Sequence, residues 1–124
     1  MIRSPGIDGG FSTNALAETL DIYPTLLDLC EPKFNKTHHP LDGVSLTPVL
    51  RKEKETVRKY ATSYWRDAIS VRSKTHRLVA KMKDGKIVNK ELYDLSEQLD
   101  TVDNVASKGS AILEELTKQI PNGK

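Results

Sequence analysis

Tyr64-Trp65-Arg66-Asp67 is the segment of this sequence best suited to recognise a ligand. An indole offers a flat face for stacking on a ring, and a guanidinium can pair bidentately with an oxyanion. A competing expectation has Trp65 packed between a sheet and a helix, with Arg66 as surface decoration. Other reactive side chains are sparse. Cys30 is the lone cysteine, so neither an internal disulfide nor a cysteine-built metal site can form. His38 and His39 are adjacent, and adjacent loop residues point in different directions. With Asp42 as the closest acid, the pair lacks metal-ligand spacing. Packing or solvation is the expected role there, and His76, in a polar turn, is expected to be exposed. Asn35-Lys36-Thr37 is a glycosylation sequon, which places its loop at the surface.

The elements that must hold these residues can be read from periodicity. Ile2 to Ile7 resembles a strand end running into a Pro5-Gly6 turn, and Asp8 to Ser12 is loop. A helix is expected over Asp21–Cys30, capped by Thr19 or Asp21, with Pro24 in its first turn and Glu31-Pro32 at its end. Leu20, Tyr23, Leu27 and Cys30 form one stripe, with Ile22, Leu26 and Leu29 beside it. So wide an apolar face calls for heavy burial, Cys30 included. Residues 31–45 are loop, Ser45–Leu50 a short helical turn, and the mixed-charge run 51–55 a linker. Beyond it the period changes. Thr56–Trp65 can form a strand. Ile69, Val71 and Ser73 alternate with Ser70, Arg72 and Lys74, and Leu78, Ala80 and Met82 alternate with Arg77, Val79 and Lys81. These two runs make a hairpin, Asp84-Gly85 is a further turn, and Glu91–Leu95 is a fourth strand. Arg72 and Lys74 fall on the polar face and are expected to be solvated. Ile112, Leu113, Leu116 and Ile120 share one face of a closing helix that Pro121 stops. The fold class is therefore α+β: an antiparallel sheet of about four strands packed by a C-terminal helix, preceded by a helical segment.

Bulk properties set limits on partners. Of the 124 residues, 37% are hydrophobic and 29% charged, ordinary for one modest globular domain. A formal charge of +2, without clustering, gives no reason to expect nucleic acid or membrane as a partner. No apolar run is long enough to span a bilayer, and the first residues lack the apolar core of a signal peptide.

Four blocks, in order and spacing, resemble the late part of a type I sulfatase. They are Asp21-Ile22-Tyr23-Pro24-Thr25-Leu26-Leu27-Asp28-Leu29-Cys30; Leu41-Asp42-Gly43-Val44-Ser45-Leu46-Thr47-Pro48-Val49-Leu50; Ser70-Val71-Arg72-Ser73 with Arg77-Leu78-Val79; and Glu91-Leu92-Tyr93-Asp94-Leu95 followed by Asp103-Asn104-Val105-Ala106. The nearest branch is iduronate-2-sulfatase-like. One departure is Leu99-Asp100-Thr101-Val102, where many members carry Asp-Pro-x-Glu. The resemblance implies that residues 1–50 are the last segment of a large α/β domain and residues 51–124 the C-terminal subdomain. It implies a parent enzyme, exported to the periplasm, the outside or the lysosome, that hydrolyses sulfate esters, including those of sulfated sugars. It further implies that Tyr64, Trp65 and Arg66 sit at the rim of the substrate pocket, facing a sugar ring and its carboxylate or second sulfate.

The catalytic parts implied by the family have no counterpart here. Its calcium ion rests on an Asp/Asn cluster, and its nucleophile is a formylglycine made from the cysteine of a Cys-x-Pro-x-Arg motif opening a helix. Cys30-Glu31-Pro32-Lys33-Phe34 has Phe34 in place of the arginine and closes a helix. No cofactor is therefore expected in this chain, and calcium and formylglycine belong to the missing N-terminal part of the parent. The partners implied are the rest of the sulfatase chain and a sulfated sugar, with self-association through residues 15–30 where that remainder is absent. Two alternatives are a phosphoester hydrolase of the same alkaline phosphatase superfamily and a stand-alone binding or scaffold module. An open reading frame continuing upstream with a Cys-x-Pro-x-Arg block supports the sulfatase fragment, whereas a ribosome-binding site and stop codon just upstream support a small module.

Overall fold

The computed structural model describes residues 2–32, 39–97 and 99–121. The sequon and His38 lie outside them. The chain falls into two compact units, Met1–Lys59 and Tyr60–Lys124.

In the first unit a 3-10 turn, Thr19–Asp21, leads directly into helix α1, Ile22–Cys30. Pro24, third in the helix, lacks an N–H that would have had no intrahelical acceptor, and it is buried. Glu31 ends the helix in the left-handed region (φ 41°), and its N–H donates to the Leu27 carbonyl at 3.1 Å. Helix α2, Thr47–Leu50, is a single turn that buries Thr47 and Val49. The loop before α2 is pressed against the 3-10 turn. A Cβ on Gly43 would collide with the Leu20 carbonyl, so only glycine permits that approach. The Pro5-Gly6 turn is present, with Gly6 at φ 75°, but no strand precedes it, because residues 2–4 have no partner to pair with.

The breadth of the α1 apolar face is not matched by its burial. Leu20, Ile22, Tyr23 and Leu26 are all exposed, and so is Cys30, contrary to the packing role expected for it. Within this unit α1 meets α2 and the 3-10 turn, neither large enough to cover a stripe that runs most of the way round.

The second unit is the expected α+β sandwich. Strands β1 (Ala61–Trp65), β2 (Ala68–Arg72), β3 (His76–Lys83) and β4 (Lys86–Asp94) form an antiparallel meander in sequence order. Strand β1 begins five residues later than expected, since the ladder with β2 starts where Ala61 pairs with Arg72. Asp84 and Gly85 both have positive φ (52° and 72°), the geometry of a two-residue turn matched to strand twist. On one face, Val71, Leu78, Ala80 and Leu92 are buried against Leu116 and Ile120 of the closing helical segment, with α3 spanning Ser110–Thr117. The alternation of residues 69–82 thus points the apolar set at the helix, and Leu116 with no exposed surface is its anchor. The segment between β4 and α3 returns along β4. The Leu92 N–H donates to Asn104 Oδ1 at 3.1 Å, and the Val105 N–H donates to the Leu92 carbonyl at 2.8 Å.

Candidate functional site

Tyr64 and Trp65 are the last two residues of β1, and Arg66-Asp67 is the turn into β2. Both aromatic rings stand in solvent, Tyr64 63% and Trp65 74% exposed. The packing of Trp65 between sheet and helix, the competing expectation, is not found. Register explains why. Trp65 pairs with Ala68, across from Lys81 and Asn89, on the face opposite the helix, whereas Tyr64 shares the helix side with Ile69 and Ala80 but lies at the sheet's edge. The Arg66 guanidinium lies over the Trp65 ring, 5.8 Å from its centroid, within cation–π range. Arg66 itself adopts φ 53°. A non-glycine residue there carries roughly 1–2 kcal/mol of backbone strain, an outlier of the kind that collects at binding sites. Asp67 Oδ2 is 3.6 Å from Lys81 Nζ, with both side chains more than half exposed, so that pair contributes little. The tip can therefore offer an indole face and a cation to one ligand, with the Tyr64 phenol on the other face of the strand. It holds no nucleophile beside a base.

A polar constellation that the sequence did not disclose lies in the first unit. Asp21 has no exposed surface. Its carboxylate accepts the N–H groups of Glu18 and Val44, both at 2.8 Å, and a guanidinium hydrogen bond from Arg58. Arg58 also pairs with Glu18 at 3.0 Å. Burial pushes the Asp21 carboxyl up, but the Val44 and Glu18 amides and the Arg58 charge together outweigh it and hold the group below the usual carboxylate range. Thr25 continues the cluster: its hydroxyl donates to the Asp21 carbonyl at 2.6 Å and accepts the Leu46 N–H at 2.9 Å. Asp21 is thus the tie that joins turn, loop and Arg58. The side-chain cap on α1 expected from it is absent. Glu18 and Asp21, three apart, do form a reciprocal capping box on the 3-10 turn.

Two further expectations are corrected. His76 is half-buried at the start of β3, its Nδ1 2.9 Å from the Thr75 hydroxyl and its Nε2 3.9 Å from Asp94. Arg72 is half-buried rather than solvated, and its partners across the ladders are Ala61 on one side and Arg77 on the other. Among the described residues no three His, Cys, Asp or Glu side chains gather as a metal site would require. Cys30 closes α1 at its carbonyl end, the wrong pole for an anion, and so does not fit the formylglycine position.

No protein-family profile matches the chain. Arylsulfatase K of Gallus gallus is 30% identical over 130 residues, covering 95% of this chain and 24% of that protein. N-acetylglucosamine-6-sulfatase of Homo sapiens is 39% identical over 51 residues, 41% of this chain and 9% of the relative. A solved structure, described as a complex with its substrate D-glucosamine-2-N,6-O-disulfate, superposes with a TM-score of 0.61 at 25% identity, covering 79% of this chain and 22% of the other. The match to arylsulfatase K runs along nearly the whole of this chain, which spans about a quarter of that relative's length.

Proposed function

We propose that this chain is the C-terminal portion of a sulfatase whose full-length form hydrolyses sulfate esters of sulfated sugars, with Tyr64, Trp65 and Arg66 on the rim of the substrate pocket. The observation that carries the reading is the exposed indole beside a strained, cationic turn, on a chain homologous to sulfatases. The names of the relatives and the ligand of the solved neighbour favour a sulfated amino sugar. The iduronate-2-sulfatase-like branch instead favours a substrate with a carboxylate for Arg66. Trp65 stacks on a sugar ring, and Arg66 takes an oxyanion remote from the bond that breaks. Calcium and formylglycine come from the remainder of the parent, which is also the partner that covers residues 15–30; without it, two copies cover each other there.

The test uses the full-length parent. Trp65→Ala should raise the Michaelis constant for the sulfated sugar while leaving kcat and a small aryl sulfate almost unchanged, since uniform binding is what is lost. Its melting temperature should hardly move, because the ring is mostly exposed. Arg66→Ala should cost about 1.5–3 kcal/mol of binding for substrates with a carboxylate or second sulfate. Comparing sulfated uronates with sulfated amino sugars then separates the two branches. Equal losses on sugar and aryl substrates would remove the tip from the pocket.

The 124-residue chain alone should leave a chromogenic aryl sulfate uncleaved. Turnover that survives both Cys30→Ala and repeated purification would refute this. Cleavage of an aryl phosphate by the parent, with the sulfate untouched, would favour the phosphoester reading.

A further inference from the structure

We propose that Arg72 and Arg77 together form an oxyanion-binding site on the open face of the sheet, taking a sulfate or carboxylate group. The two residues are direct partners across the β2–β3 ladder. Their Cα atoms are therefore about 4.5–5.5 Å apart, and their side chains rise from the same face. Like charges placed directly opposite one another are destabilising in a sheet. Both side chains are half-buried, and the Nε of each is buried without a hydrogen-bond partner. Among the described residues neither guanidinium is in an ion pair. Two fixed cations with unused donors in a partly desolvated place are what a bridging oxyanion would satisfy.

The surroundings fit such a group. Ala61, opposite Arg72 on β1, is a small neighbour. Arg77 is held from its other flank by Tyr93, whose ring centroid is 5.3 Å from the guanidinium carbon. Glu91 supplies a carboxylate on this face beside Tyr93. It is already occupied, accepting the Tyr93 hydroxyl at 2.6 Å and the Asn89 amide at 3.3 Å, and it makes no ion pair with Arg77. The hydroxyl therefore turns toward Glu91, and the arginine donors stay unused.

The site is independent of the Trp65 reading. It lies four residues back along β1, roughly 13 Å away at strand rise, and it stands or falls on other residues. In the 124-residue chain, titration with sodium sulfate and separately with sodium glucuronate, at fixed ionic strength against chloride, should shift the Nε–H resonances of Arg72 and Arg77 saturably. Whichever anion saturates identifies the source of the oxyanion. Arg72→Lys and Arg77→Lys keep the charge but lose the planar fork, and each should weaken binding at least tenfold while the amide spectrum of Leu78 and Leu92 persists. Lys86→Ala, at the distant start of β4, should change nothing. Saturation by neither anion, an equal response to chloride, or full affinity in both lysine variants would overturn the proposal.

Discussion

Asp21→Ala should destabilise the first unit by about 3–5 kcal/mol, the cost of breaking a buried ion pair from one side. The substitution strips the Arg58 guanidinium of its fully buried partner, leaving it the Glu18 carboxylate, and orphans the N–H groups of Glu18 and Val44 together. Amide exchange at those two positions is the direct readout, and exchange unchanged from wild type would mean that the tie is dispensable. Asp21→Asn keeps the shape and removes the charge, so it gives the pH arm. The folded carboxyl is held below its usual range. Its contribution is therefore complete above the unfolded value of about 3.9 and is lost as pH falls from there through the lower folded value. The stability gap between wild type and Asp21→Asn should be full at neutral pH and close progressively in acid below about pH 4. A gap that is constant with pH would assign it to packing rather than charge.

The second large effect belongs to the sheet and its helix. Leu116→Ala should cost about 2–5 kcal/mol, because the side chain is fully buried between α3 and the row formed by Val71, Leu78 and Leu92. Denaturant unfolding followed by the near-ultraviolet signal of Tyr60, packed on this core, would measure it. Leu26→Ala is the contrast. Both residues are leucines on apolar helix faces, yet Leu26 is 51% exposed and its loss should stay within about 0.5 kcal/mol. If residues 15–30 pair two copies, Leu26→Ala should lower the association constant and leave the unfolding of the monomer alone. A Leu26→Ala cost equal to that of Leu116→Ala would show that α1 is as well covered as α3.

What could be read in advance follows the range of the interactions. The hairpin of residues 69–82 was legible because period two is a local signal, and the Leu116 face because period 3.6 is too. The Asp84-Gly85 turn was legible from the types that tolerate positive φ. The late start of β1 was not, because strand ends are set by the partner's register and not by propensity. The Asp21 tie was invisible for a related reason. Arg58 lies 37 residues downstream, and nothing local distinguishes it from the solvated arginines near it. The Glu18-x-x-Asp21 spacing was the one available hint. Tyr64-Trp65-Arg66 stood out by residue type, whereas the exposure of Trp65 depended on which face register gives it. Arg72 was misread because alternation marks a face as polar without saying which residues stand beside it across the ladders.

The Asn104–Val105 return over Leu92 has a colloidal consequence. A four-stranded meander has two open edges, and each is a template on which a second copy could add a strand. β4, the longer edge at nine residues, has its outward Leu92 amide and carbonyl already taken by the chain's own Asn104 and Val105. The remainder of that edge carries Lys86 and Lys90, whose charges repel a like strand. β1, the other edge, ends after five residues in the Arg66 turn, short for a template. The chain's own return thus closes the β4 edge at Leu92 to a second strand.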